Sequence, residues 1–393
     1  MAGGEFGTTW VIVCGGFHAR GGMDRLNASL ARYLADAGVP VHLVAHDVDR
    51  YLVDGPDVTV SIVPRTLGAH AAGEMALERR AREVARALRS SRRNVRLVAN
   101  GANCAGADVN WVHCVHRAWP CVDTGAPAWF RVKNRAVKAW ARHRERRAIA
   151  TARTVIANSE RTRCDLITML RCDPATVHTV YPGLDASARI PDADERAGAR
   201  ARWCANPARP LVVFVGALSC DANKGLDTVL NAWQSLSRCR WDAQLVAAGG
   251  GAIEYWTARA RRAGVDVRFT GHSRSVPDLL SAADLLVSPA RYEAYGLAVH
   301  EALARGVPAM VSAAAGIAER WPDTARELVL ADPTDSDELA RRLAAWRRNI
   351  DGWHARFAEA ADVFHRYTAR DMAARIVQVA TAADPAPVPA ACR

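Results

Sequence analysis

The stretch from Leu286 to Ser312, LVSPARYEAYGLAVHEALARGVPAMVS, restricts what this chain can fold into more than any other. An apolar run at 285–287 leads into a polar loop. Helical spacing follows at Leu297, Val299, Leu303 and Ala304 and stops at Gly306 and Pro308, before a second expected strand at 309–311. Glu293 lies in the loop and Glu301 in the helix, with Gly296 between them where backbone can approach a ligand closely. The two carboxylates can bracket one small molecule. A carboxylate only accepts hydrogen bonds and can take two at once, which suits neighbouring hydroxyls of a sugar or ribose. The amides at the helix start, Tyr295 to Leu297, suit an anion such as a phosphate.

The length of 393 residues predicts two domains, and a 50% apolar composition supplies cores for both. The longest apolar runs are strand length, and the opening MAGGEFGTTW lacks a charged segment followed by an apolar one, so a cytoplasmic chain without a secretory signal is expected. Ten scattered cysteines form no C-x-x-C pair, which reads as reduced thiols and no metal site. The net charge of +11 favours anionic partners: nucleotide phosphates or anionic lipid. Zinc-finger, homeodomain and RNA-binding signatures are missing, so nucleic acid is not expected. The basic residues number 52 but include only three lysines, Lys133, Lys138 and Lys224, which singles out each of them.

In chain order, Trp10–Cys14 reads as a strand running into Gly15-Gly16-Phe-His-Ala-Arg-Gly21-Gly22, with a helix from Met23 to Gly38. This opening is either a tight turn or a phosphate-binding loop, and it is not a G-x-G-x-x-G. Strands at 39–46, 58–63, 95–99 and 109–115, with a helix at 74–90, imply a parallel sheet whose ligands bind beyond the strand carboxyl ends. His113 and His116 fall at such an end, where they can bind metal, act as acid or base, or pack. Residues 131–147, RVKNRAVKAWARHRERR, carry eight Lys or Arg and one Glu, with Val132, Ala136, Val137 and Trp140 at helical spacing. The segment is a solvated helix face or a cationic surface helix on anionic lipid. Strands at 154–158 and 177–181 close the first domain. Residues 186–209 are polar and read as a linker, in which Asp192-Ala-Asp194 has the spacing of a metal pair but no preceding strand. The second domain opens at 211–216, followed by a loop carrying Ser219 and Lys224-Gly225 at a helix start, with His272 on a later turn. One amphipathic helix is expected from Trp353 to 383, and a disordered tail at 384–393.

Several of these segments together resemble the retaining GT-B glycosyltransferases of family four. Glu293 and Glu301 around Gly296 resemble that family's Glu-x7-Glu signature, and Gly21-Gly22-Met-Asp-Arg its Gly-Gly-hydrophobic-acidic opening. TVIANSERTRCDL and VHTVYPGLD resemble its end of the first domain, and Gly316 with Glu319 its Gly-x-x-Glu. FVGALSCDANKGLDTVLNAW resembles its Gly-Arg-Leu…Lys-Gly-x-Asp run, except that Ala217 stands where many members have Arg. The resemblance implies an α/β fold of two Rossmann-like doubly wound domains facing a central cleft. Residues 1–185 would be the acceptor domain, 186–209 a linker, 210–352 the nucleotide-sugar domain and 353–383 a helix crossing back. It further implies retaining transfer of a hexosyl unit from a nucleotide-diphosphate sugar to a lipid-linked or cell-surface glycan, without metal or other cofactor. Glu293 would hold the donor sugar, Lys224 the diphosphate and Glu301 the ribose. His116, or else His113, would line the reacting side. Gly21, Gly22, Tyr295, Gly296 and Leu297 would approach the donor, His272 would edge the base, and Ser219 and Glu319 are secondary candidates. A nucleotide-sugar epimerase on the same fold, a Rossmann oxidoreductase using Gly15–Gly22 with Asp47 near the ribose, and a non-catalytic scaffold are the rivals.

Overall fold

The computed structural model describes residues 7–19, 21–65, 70–122, 125–238, 241–272 and 275–382. Seven parallel strands form the first sheet: β1 (Thr8–Val13), β2 (Val41–Ala45), β3 (Val58–Ile62), β4 (Asn94–Ala99), β5 (Val109–Val112), β6 (Thr154–Ala157) and β7 (Val177–Thr179). Their order is β3-β2-β1-β4-β5-β6-β7. The second sheet has β8 (Leu211–Val215), β9 (Gln244–Ala248), β10 (Arg268–Gly271), β11 (Leu285–Ser288), β12 (Ala309–Ser312) and β13 (Val329–Leu330), in the order β10-β9-β8-β11-β12-β13. In each sheet the first strand lies inside, flanked by the second and fourth, so the strand order reverses beside it. Ligands of open α/β sheets bind at that reversal, beyond the strand carboxyl ends.

Helices cover both faces because the strands are apolar on both, with Val11, Ile12 and Val13 fully buried in β1 and Val212 and Val213 in β8. On the first sheet these are α1 (Gly22–Asp36), α2 (His70–Ser90), α3 (Ala128–Ala150) and α4 (Glu160–Leu170). After α5 (Ala193–Trp203), the second sheet carries α6 (Leu226–Ser237), α7 (Ile253–Arg262), α8 (Val276–Ala282), α9 (Leu297–Ala304) and α10 (Ser336–Arg347).

Three expectations need correction. The strand expected at 109–115 ends at Val112, so His113 and His116 stand in the loop beyond it. Residues 186–209 are no plain linker, because they contain α5. Its N-terminus is a capping box in which Asp192 accepts from Glu195 N–H at 2.8 Å, a helix-capping task for the Asp-x-Asp pair. Arg196 and Arg200 of this helix reach Asp284 at 2.6 and 2.7 Å and fasten it to the second domain. The single helix expected from 353 to 383 is two, α11 (Ile350–His365) and α12 (Ala369–Ala382). Trp353, Phe357 and Phe364 of α11 join the second core, whereas Met372, Ala373 and Ile376 of α12 join the first. The chain therefore does return to its first domain. The tail expected at 384–393 lies outside the described residues.

The domains also pack directly. Tyr292 and Ala294 from the loop after β11 bury against Val112, Val115 and Leu166. The Tyr292 hydroxyl accepts from Val115 N–H at 2.8 Å, and Ser159 donates to the Ala294 carbonyl at 2.7 Å.

Candidate active site

The starts of α1 and α9 face each other across the cleft. A Cβ on Gly22 would stand 2.5 Å from Leu297 Cδ1, so any larger residue there would have to displace the end of that side chain. Gly21 is the N-cap of α1 and Gly296, at φ 113°, that of α9; side chains rarely adopt that angle. The amides of both first turns have no partner within their helix and are available to an anion. A cavity of 610 Å³ opens here, with Gly21, Gly22, Arg25, Leu297 and Glu301 on its walls.

Each signature carboxylate is covered by a cation. Lys224 Nζ pairs with Glu293, and Arg25, on α1, pairs across the cleft with Glu301. Lys224 closes a 3-10 turn, Ala222–Lys224, that Asp221 caps by accepting from Asn223 N–H at 2.8 Å. Gly225 follows at φ 79° and doubles as the start of α6; a Cβ there would lie 2.0 Å from the Pro289 carbonyl oxygen.

A second cavity, of 460 Å³, lies in the first domain against the other side of the α1 start, lined by Met23, Asp24, His113, Cys114, His116 and Trp119 among others. Burial pushes the Cys114 thiol up to about 12, with Glu145 and Glu293 adding and Lys224 opposing. The Lys224–Glu293 pair therefore sits within electrostatic reach of this cavity wall. His116 Nδ1 is 2.9 Å from Glu145, which is wholly buried and also accepts from His116 N–H at 2.8 Å. A carboxylate only accepts, so Nδ1 carries the proton and Nε2 is left to accept from a ligand hydroxyl. Both bonds go to the one oxygen, Oε1, so Glu145→Gln can keep the geometry but removes the negative charge that would stabilise the ring when Nε2 takes up a proton. It is expected to lower kcat roughly tenfold or more while leaving nucleotide affinity unchanged, as measured by steady-state kinetics beside calorimetry.

His113 packs at 4.4 Å from the Trp111 ring, and burial depresses its pKa to about 3, so it stays neutral. Other predicted residues are engaged elsewhere. The Tyr295 hydroxyl is buried against His300 Nδ1 and Arg320, each at 3.1 Å, and its carbonyl accepts from Ile317 N–H at 2.8 Å. Glu319 accepts from Glu160 N–H and from the Tyr181 hydroxyl, both at 3.0 Å, and so caps α4 of the opposite domain rather than lining either cavity. Ser219 accepts from Asp221 N–H at 3.3 Å within its own loop. His272 is exposed on the turn after β10, beside Gly250.

Sequence reasoning passed over Arg25, Glu145 and Asp221. Arg25 belongs to the glycine-rich run, and Glu145 is the lone Glu among the basic residues of 131–147. Asp221 binds Lys138, one of the three lysines, at 2.5 Å across the domain boundary.

Comparison with known proteins agrees with this architecture. The family described as Glycosyltransferase Family 4 matches residues 20–188, and Glycosyl transferases group 1 matches residues 209–349. A D-inositol 3-phosphate glycosyltransferase of Xylanimonas cellulosilytica is 29% identical over 58% of this chain and 60% of its own length. A GDP-mannose-dependent alpha-(1-6)-phosphatidylinositol dimannoside mannosyltransferase of Mycobacterium tuberculosis is 32% identical over 39% of this chain and 43% of its own. The chain thus spans about half the length of these curated relatives. WaaG, a glycosyltransferase involved in lipopolysaccharide biosynthesis, superimposes with a TM-score of 0.74 at 21% identity, covering 94% of this chain and 99% of that one. Anabaena Alr3699/HepE, solved with UDP and glucose, gives 0.68 at 18% identity over 96% and 99%. The fold is GT-B, and the chain belongs to the group 1 glycosyltransferases of family 4.

Proposed function

We propose that the protein is a retaining glycosyltransferase that moves a hexosyl unit from a nucleotide-diphosphate sugar to a hydroxyl of a glycan or lipid-linked acceptor. The observation that carries this is the pairing of Lys224 with Glu293 beside the helix start at Gly296, next to the cavity walled by His116. The chemical difficulty is the negative charge that grows on the departing nucleoside diphosphate. Lys224 and the amides of the α1 and α9 first turns are preplaced donors for it, without a metal. Glu293 holds sugar hydroxyls, Glu301 holds the ribose, and the acceptor hydroxyl enters from the face that the diphosphate leaves. The names of the relatives support inositol- or sugar-type acceptors, and UDP-glucose and GDP-mannose are the nucleotide sugars that those names mention.

The acceptor side has its own support. Among the described residues on the wall of the first-domain cavity, His18 Nδ1, Asn100 Oδ1, His113 Nε2 and Trp119 Nε1 are buried without a hydrogen-bond partner. Such atoms are stabilised by a ligand that offers donors and acceptors together, as a polyol does. Incubation with UDP- and GDP-hexoses, with and without membrane lipid extract, tests the proposal through nucleoside diphosphate release. Acceptor-dependent release supports transfer. Sugar isomerisation without acceptor supports the epimerase, and binding without turnover the scaffold.

A lipid-linked acceptor fits the outer face of α3. No helix among the described residues is long and apolar enough to cross a membrane. On α3, however, Trp129 and Val132 are 65% and 70% exposed, flanked by exposed Arg131, Lys133 and Arg135. Trp140, expected on that face, is instead half-buried with the Arg144 guanidinium 5.2 Å from its ring centre. Arg142 and Arg144 turn inward, to the carbonyls of His116 and Trp119 and to Glu78. Charge near an anionic leaflet contributes about 1 kcal/mol per Lys or Arg. Replacing Arg131, Lys133 and Arg135 by Gln is expected to abolish binding to anionic vesicles in a flotation assay. Equal binding of the parent protein to neutral and anionic vesicles would return this face to solvent.

A further inference from the structure

We infer that Arg25 is a donor-site residue that exchanges partners: it neutralises Glu301 in the empty cleft and moves to the diphosphate when a nucleotide sugar enters. This rests on the nucleotide-sugar reading above and adds to it a residue from the opposite domain. Arg25 projects from the first turn of α1, lines the same cavity as Gly21 and Gly22, and meets the Glu301 carboxylate across the cleft. That carboxylate is 9% exposed, so it is a poor place to leave a charge unmatched. Behind it, Arg305 donates to the Glu301 carbonyl oxygen at 3.0 Å and interacts electrostatically with the carboxylate. Glu301 therefore keeps a cation nearby when Arg25 departs.

The arrangement repeats on the other side of the α9 start, where Lys224 covers Glu293. Both carboxylates accept hydrogen bonds, and both are occupied by a cation. A nucleotide sugar carries hydroxyls at its two ends and two phosphates between them. Its entry converts two carboxylate–cation pairs into carboxylate–hydroxyl and cation–phosphate contacts, and no charge is stranded. A nucleoside can displace Arg25 from Glu301 but offers the guanidinium nothing in exchange. The α1 amides beside Arg25 already favour an anion, so the guanidinium has a short path to the phosphates. Position 217, in the Lys224 loop, is an uncharged alanine, and Arg25 brings a cation to the cavity wall from the opposite domain.

Calorimetry on the full chain tests this with uridine, guanosine, UDP and GDP against the parent protein, Arg25→Gln and Arg25→Lys. The expected result is that Arg25→Gln binds the preferred diphosphate about tenfold more weakly, the loss of one charge-assisted contact, while its nucleoside binds at least as tightly as to the parent. Arg25→Lys should recover most of the diphosphate affinity, which also shows that the site is folded. Unchanged diphosphate affinity in Arg25→Gln overturns the inference. So does a nucleoside that weakens together with the diphosphate, because Arg25 would then only brace the cleft. If the parent protein binds neither diphosphate, the nucleotide-sugar reading falls first and this inference with it.

Discussion

Lys224→Ala is expected to lower kcat by about 10²–10³, the usual effect of removing one preplaced donor from a centre of developing charge. In the proposed reaction the cation acts on the diphosphate, so affinity for the bare nucleoside should hardly change. Lys224→Arg should restore little. The turn is closed behind by Gly225 against Pro289, and a planar guanidinium fork does not reproduce the compact point charge of the ammonium held there. The loop is also fixed from the sides. Asn223 donates to the Tyr292 carbonyl at 2.9 Å, and Arg291 holds Asp227 through two bonds of 2.9 and 2.8 Å. A rigid turn keeps the ammonium where charge develops instead of reorganising during the reaction. Steady-state kinetics with calorimetry of the nucleoside separates the two effects. Full activity in Lys224→Ala would remove the residue from the mechanism.

The sheet strands and the two-carboxylate loop were legible because both follow local periodicity: apolar runs of strand length, and a helix marked by Leu297, Leu303 and Gly306. The helix at 193–203 was hidden by its composition. It buries only Ala199 and is held by Arg196 and Arg200 on Asp284, so it has no apolar stripe to announce it. The break near 366–368 had a signal. Thr368 and Asp371 exchange hydrogen bonds of 2.9 and 3.2 Å in the manner of a capping box, whereas the apolar positions continue across it and change only the domain they face. The site divides the same way. Gly22, Glu293 and Glu301 carry their chemistry in local spacing, but the covering of Glu301 by Arg25 joins residues 276 apart, and no spacing rule encodes that.

Lys138→Met is expected to destabilise the protein by about 3–5 kcal/mol, because it leaves a buried carboxylate without its counter-charge. Lys138 Nζ lies 2.5 Å from Asp221 and 2.8 Å from the Pro120 carbonyl, with side chains only 9% and 5% exposed. The double variant Lys138→Met with Asp221→Asn removes both charges and retains an oxygen to accept from Asn223 N–H, so the turn that carries Lys224 stays capped. It should recover most of the lost stability in chemical denaturation. A loss below about 1 kcal/mol in the single variant would make this an ordinary solvated pair. The kinetic consequence is separate. Lys138 and Glu145 stand on one helix, α3, which thereby grips the Lys224 turn at one point and His116 at another. The first contact joins the two domains, whereas His116 and Glu145 both belong to the first. The double variant is therefore expected to be nearly as stable as the parent yet slower in turnover, since the diphosphate cation and the acceptor-side histidine would no longer be held in fixed register. Parent-like kcat in that variant would reduce the pair to a stabilising contact and leave the positioning to the packing of Tyr292 and Ala294 on the first domain.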